Sequence, residues 1–251
     1  MSNAPQRVKL EICVESLAGA LAAEAGGADR IELCSALSDG GLTPSIGLLE
    51  RVMADCSLPV RVMIRPRGGS FVYSQRETEV MLADIERVVE LGAEGIVTGC
   101  LNADGTVDET LSARLAQAAY PFSCTFHRAI DVSRDPLEAI DIIAELGYDH
   151  ILTSGQAVSA PEGTALIGRM VAHANGRIEI MAGAGVRPEN AAMLVGRTGV
   201  RSIHSSASVW IPDHGSTPAR DPMGRRETSV ELVRSLREAI GRHALNQIEQ
   251  Q

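Results

Sequence analysis

Eight short β-like runs alternate with helical stretches along this chain, and that alternation limits the fold more than any other feature. The runs are VKLEICV (8–14), RIELC (30–34), VRVMIR (60–65), GIVTG (95–99), FSCTFH (122–127), HILTSG (150–155), IEIMAG (178–183) and SIHSS (202–206). The segments between them carry helix punctuation. SLAGALAAEAGGAD opens on an N-cap serine and closes on glycines, and TPSIGLLERVMADC has Pro44 near its first turn. Strands that alternate with helices imply a parallel sheet, because the chain must cross back before each new strand. Eight such units within 251 residues predict a (β/α)8 barrel, the TIM-barrel architecture. A doubly wound open sheet fits less well, since no G-x-G-x-x-G follows the first strand. Residues 1–251 read as one α/β domain. The barrel core runs from about 8 to 209, and 210–251 form a long Pro/Gly-rich loop and a terminal helix from about 226.

Composition excludes several kinds of function. The formal net charge is −9 and no block of five or six like charges occurs, which argues against a general nucleic-acid or membrane-surface role. A small anionic ligand is still compatible, because a local cationic pocket can sit on an acidic protein. No apolar run is long enough to span a bilayer, and MSNAPQRVK has no signal-like apolar stretch. The five cysteines are odd in number and contain no CxxC, against a secreted disulfide scaffold and in favour of a cytoplasmic protein. Of 23 Lys and Arg residues, Lys9 is the single lysine. It opens the first strand, far from the strand ends where barrel chemistry occurs. Schiff-base chemistry and a P-loop both need a lysine at the site, so neither is available.

Side chains on a strand alternate between faces. In a barrel the outer face packs on helices and should be the more apolar. That rule sends Leu10, Ile12, Val14, Ile31, Leu33, Val62, Ile64, Ile178, Ile180 and Ile203 outward. It leaves Glu11, Cys13, Glu15, Glu32, Cys34, Arg61, Met63, Arg65, Glu179, Met181, Ser202 and His204 facing in, with Thr125 and His127 on one phase of strand 5 and Cys124 on the other. Glu11, Glu32, Glu179 and Arg61 read as an internal charge network, since buried charges are costly unless paired.

Barrel active sites lie at the C-terminal ends of the strands. Cys13 and Cys34 occupy equivalent positions on neighbouring strands. They are either small buried hydrophobes or a thiolate pair suited to a soft ion, with Met63 or Met181 adding sulfur. Arg65 and Arg67 precede a glycine pair, placed either to hold a carboxylate or phosphate or to pair with inner glutamates. MAGAGV and HSSASV put Gly183, Gly185, Ser205 and Ser206 where many barrels bind phosphate on backbone N–H groups. His127 is the general acid–base candidate, with Glu15, Arg65 or His204 to tune it. Asp131 either joins that group or caps the next helix. His150, His173, His214 and His243 read as surface or loop residues.

Beyond these separate features, LEICVES, AGGADRIELCSALSDGGLTPS, VMIRPRGGSFVYS, LGAEGIVTGCLNADGTVD, TFHRAID, GYDHILTSG, IMAGAGV and IHSSAS occur in that order between about 10 and 209. In these blocks the chain resembles the CutC proteins, a family named for copper homeostasis. The resemblance implies a (β/α)8 barrel, a cytoplasmic location, a homo-oligomer of dimer type, and Cu(I) bound by the cysteines that match Cys13 and Cys34. The 210–225 loop is the least alike. The polar lumen leaves a second reading open, an enzyme that acts on a small anionic or phosphorylated substrate through histidine and carboxylate chemistry. A third, an interaction scaffold, fits poorly, because a scaffold would fill its lumen with apolar side chains.

Overall fold

The computed structural model describes residues 7–212 and 224–248. Eight parallel strands close into a barrel in chain order: β1 (Lys9–Val14), β2 (Arg30–Leu33), β3 (Val60–Met63), β4 (Gly95–Thr98), β5 (Ser123–Phe126), β6 (His150–Thr153), β7 (Glu179–Ala182) and β8 (Ser202–Ser205). The crossovers carry α1 (Leu17–Gly26), α2 (Ile46–Asp55), α3 (Gln75–Glu90), α4 (Glu109–Ala119), α5 (Pro136–Glu145), α6 (Thr164–Ala174) and α7 (Pro188–Thr198). β1 pairs with both β2 and β8, so Glu11 stands beside Arg30 on one side and His204 on the other. The (β/α)8 expectation holds.

Local chemistry starts the helices where the sequence suggests. Ser16 caps α1 by accepting the Gly19 N–H at 2.8 Å, and Gly27 ends that helix in the left-handed region at φ 87°. Ser74 and Glu77 form a reciprocal capping box on α3. Asp135 accepts from Leu137 N and Glu138 N ahead of Pro136, so it is Asp135 and not Asp131 that caps α5.

The outward strand residues merge with the helices into one large core. Leu10, Ile12, Ile31, Leu33, Val62, Ile64 and Ile203 are all fully buried in it, and each such side chain contributes about 2 kcal/mol relative to exposure. Cys124 belongs to this outer core, and burial pushes its thiol up to about 12. The opposite phase holds a small separate cluster of Cys13, Cys34, Met63 and Val97 inside the barrel.

After β8 the chain departs from the expected loop. β9 (Ser208–Pro212) pairs antiparallel with β10 (Gly224–Thr228), with Trp210 opposite Arg226. The terminal helix α8 (Val230–Ile248) therefore starts at Val230, not near 226, and packs on α1 and α7. Pro212 and Gly224, with the Pro/Gly-rich sequence between them, disguised these two strands as loop. Residue His214 and the side chain of His243 lie outside the described residues. Lys9 is exposed at the N-terminal end of β1, opposite the mouth.

The lumen below the mouth is a charge network. Glu11 pairs with Arg30 Nε, lies 3.8 Å from Arg61 and meets His204 Nδ1 at 2.9 Å. Arg61 also donates to Thr125 Oγ1 at 3.0 Å and to Glu94 at 3.1 Å. Burial opposes the charge on Glu11, but Arg30 and His204 outweigh it and hold the carboxyl far below its usual range. Arg30 shares the phase of Glu32 and was not among the expected inward residues. His150, read as a surface residue, is 9% exposed. It pairs in register with Thr125 and Glu179, and burial with Arg61 and Arg30 pushes its pKa down to about 3.

Candidate functional site

The C-terminal strand ends open into a cavity of about 940 Å³. Its floor is formed by Cys13, Glu32 and His204, and its wall by Arg65 and His127. The loop after β7 adds Gly185, and the end of β8 with the residue after it adds Ser205 and Ser206.

The register of the closed ring assembles the floor. β1 sets Cys13 beside Glu32, and the same strand sets Glu11 beside His204. Glu11 accepts from His204 Nδ1, which turns Nε2 toward Glu32 Oε2 at 3.4 Å. One donor atom each from Cys13, Glu32 and His204 lies within 4.8 Å of the other two. Burial opposes a charged His204, but the neighbouring Cys13 and Glu32 outweigh it and hold the imidazole pKa well above 6.5. Burial raises Glu32 to about 7, His204 opposing and Glu11 adding to the rise. Cys34 sits behind the floor, where its thiol reaches Val14 O at 3.6 Å. Burial there, with Glu32 and Cys13 nearby, lifts its pKa well above the ordinary thiol value.

The backbone at Gly41 passes close over the sulfur cluster. Gly41 adopts φ 89°, and a Cβ on it would approach Met63 Cε at 3.1 Å and Cys34 Sγ at 3.9 Å. Gly183 is needed for a similar reason. A Cβ there would meet Leu152 Cδ1 at 2.5 Å and His204 Cβ at 3.2 Å. Its N–H is spent on Thr153 O at 2.9 Å, so its role is close approach to the β8 histidine. Ser205 is likewise engaged, donating to Val186 O at 2.8 Å. Gly185 takes φ 70°, and the preceding Ala184 takes φ 72°.

The arginines differ from each other. Arg65 donates to Asp39 O, Gly41 O and Gly69 O, tying two mouth loops together, and its Nε has no partner. Arg67 does not line the cavity. Its fork is taken by Glu77 and by the carbonyls of Gly68, Ser70 and Val72. Glu15 does not line the main cavity either. It accepts the Leu37 N–H at 2.7 Å beside a smaller cavity of about 270 Å³ that Cys13 also reaches.

His127 lies at the mouth as expected, but not with the pKa of an ordinary histidine. Burial, with Arg65 adding, pushes it down to about 3. Its Nδ1 accepts the Ala129 N–H at 3.2 Å, so the neutral ring carries its proton on Nε2, which is buried without a partner. Phe71 sits between the two groups, 4.8 Å from the His127 ring centre and 4.9 Å from the Arg65 guanidinium. Asp131 holds the loop after β6, accepting from Thr153 Oγ1, Ser154 N and Gln156 N.

A model of the CutC family matches residues 8–209. A CutC family protein of Chromobacterium violaceum is 43% identical over 241 residues, covering 92% of this chain and 97% of the relative. The human copper homeostasis protein cutC homolog is 48% identical over 198 residues, covering 79% of this chain and 72% of that one. A CutC crystal structure from Streptococcus agalactiae superposes with a TM-score of 0.76 at 35% identity, over 79% of this chain and 98% of that one. A phosphoribosylanthranilate isomerase of Pyrococcus furiosus, at 14% identity and a TM-score of 0.55, shares the barrel. Among the described residues no helix is long and apolar enough to cross a membrane. On sequence and architecture together, the chain belongs to the CutC family.

Proposed function

We propose that this protein handles copper in the cytoplasm, holding Cu(I) at the mouth of the barrel through Cys13 and Cys34. Cu(I) prefers soft sulfur donors. The observation that carries the reading is the inner cluster itself, in which Cys13, Cys34 and Met63 pack together away from the outer core. All five cysteines are free, as suits a reducing compartment. Residues 1–251 work as one barrel domain, and by the same family reading as a homodimer. The test is competition for Cu(I) against a coloured chelator under reducing conditions. The wild-type protein withholds one Cu(I), and the Cys13→Ser/Cys34→Ser variant yields it. Equal retention by both proteins overturns the reading.

A second reading, an enzyme acting on a small anionic or phosphorylated compound, draws on the cavity wall. Arg65 Nε and His127 Nε2 are buried donors without acceptors, and Arg128, Arg187 and Arg226 line the same space. A ligand oxygen would satisfy the two donors, each of which costs about 1–3 kcal/mol unmet. Ligands that bind only the folded state raise its melting temperature. Inorganic phosphate, sulfate and sugar phosphates are the probes, and no rise with any of them removes this reading.

A further inference from the structure

We propose that Cys13 Sγ, Glu32 and His204 Nε2 form an open three-ligand site for a divalent cation of the zinc class, separate in its chemistry from the Cu(I) pair. Four features of the barrel support this.

The first is convergence. Three donor atoms from β1, β2 and β8 lie within 4.8 Å of one another, on residues that are all buried. One sulfur, one nitrogen and one oxygen make a mixed set that suits zinc-like ions, whereas Cu(I) favours sulfur.

The second is the outer support. A metal-binding histidine usually donates its other ring N–H to a carboxylate, which fixes the ring and raises its basicity. His204 does so, with Nδ1 on Glu11 at 2.9 Å, and Glu11 is in turn held by Arg30 and Arg61. Ring closure at β1–β8 builds this arrangement before any ion arrives. Gly183 completes it, since its missing side chain leaves room for the His204 ring.

The third is an unmet group. Glu32 Oε1 is buried and has no hydrogen-bond partner, although buried carboxylate oxygens are ordinarily paired. A cation held between Glu32, Cys13 and His204 would satisfy it.

The fourth is the opening. The three residues line the large cavity, so an ion there keeps a coordination position toward it. Three protein ligands and one open position characterise reactive zinc sites, and four protein ligands characterise structural ones. Arg128, Arg187 and Arg226 line the same cavity. The open position therefore suits a small anionic molecule.

Cys13 is common to both sites and Cys34 is not, which separates this inference from the copper reading. The probe is Co(II), added without air to reduced, metal-stripped protein and followed by absorption. The wild-type protein should give a thiolate-to-cobalt charge-transfer band with stoichiometric uptake, reversed by Zn(II). Cys13→Ser should remove the band. Cys34→Ser should keep both band and affinity. Glu11→Gln should keep the band and weaken affinity by about 10–100-fold, as outer-shell changes do. Circular dichroism of each variant confirms folding, and the near-isosteric serine variants guard against a folding artefact. No band in the folded wild-type protein overturns the inference. So does a Cys34→Ser variant that loses the band as fully as Cys13→Ser. If the Co(II) band behaves as expected in the wild-type protein and in each single variant, while the double serine variant holds Cu(I) as tightly as the wild type, the copper reading alone is overturned.

Discussion

Glu11 is the most consequential carboxylate in the barrel, and its removal gives a quantitative test of the lumen network. It is 1% exposed and serves Arg30, Arg61 and His204 at once. Breaking a buried ion pair on one side costs about 3–5 kcal/mol, because the partner charge is left without compensation. Glu11→Gln keeps the volume and one carbonyl acceptor, so its cost is the charge itself, about 3 kcal/mol. That is a large share of the 5–15 kcal/mol that typically holds a domain folded. With a urea slope of about 3 kcal/mol per molar, the midpoint should fall by about 1 M. The decisive measurement is the second arm of a double-mutant cycle. Arg30→Met alone should also destabilise, since it strands Glu11. In the Glu11→Gln background it removes a buried cation that has lost its hydrogen-bonded carboxylate and keeps Met181 sulfur at 3.4 Å, with Glu94 and Glu179 acting on it only through their charge. There it should restore about 1–2 kcal/mol. Equilibrium unfolding of the four metal-free proteins in urea, followed by circular dichroism, gives the coupling. A Glu11→Gln loss under about 1 kcal/mol, or purely additive losses, would refute the assignment of this network as the barrel's charge-balanced core.

Other perturbations separate the remaining roles. His150 has a folded pKa of about 3 against the usual 6.5, so it binds its proton in the unfolded chain first. Its contribution is whole above about pH 6.5 and fades as pH falls toward 3, by about 1.4 kcal/mol per pH unit. His150→Gln should flatten the acid limb of the stability curve by that slope, and an unchanged limb would mean the ring is not held neutral. Arg65 reaches one loop with Nη1 and the other with Nη2, and Arg65→Lys has a single nitrogen in their place, so hydrogen exchange should rise in 37–43 and 67–71 and stay unchanged in α5. Gly183→Ala should leave the protein folded, since Leu152 Cδ1 is the free end of a side chain, yet weaken Co(II) uptake by displacing His204. Uptake equal to wild type would show that the glycine serves only the turn.

The strands and their phases were legible because a barrel imposes two different solvents on alternate residues. The outward set is apolar throughout, and every outward assignment made from it falls in the outer core. Arg30 was within reach of the same rule, two residues before Glu32. His150 was not, because it follows Tyr148-Asp149 at the very start of a strand, where chemistry resembles a turn. Its phase becomes visible only through pairing with Thr125. The directions of long side chains were out of reach altogether. Arg65 and Arg67 read alike in sequence, yet one lines the cavity and the other is turned onto Glu77 and a loop backbone. The Cys13–Glu32–His204 floor joins strands at opposite ends of the chain. Cys13 and His204 were each recognised as inward, but their meeting depends on closure of β8 onto β1, a long-range event that no local pattern encodes.

The lone lysine has a practical consequence. Lys9 is exposed at the start of β1, and five residues of strand, about 16 Å, separate it from the mouth end at Val14. The cationic side chains that line the cavity are guanidiniums and imidazoles, which ordinary amine-coupling reagents leave alone. Tethering this protein to a sensor surface through its side-chain amine therefore attaches it by the base. Molecules attached through Lys9 present the cavity to the flowing solution, where metal and anion titrations can be read.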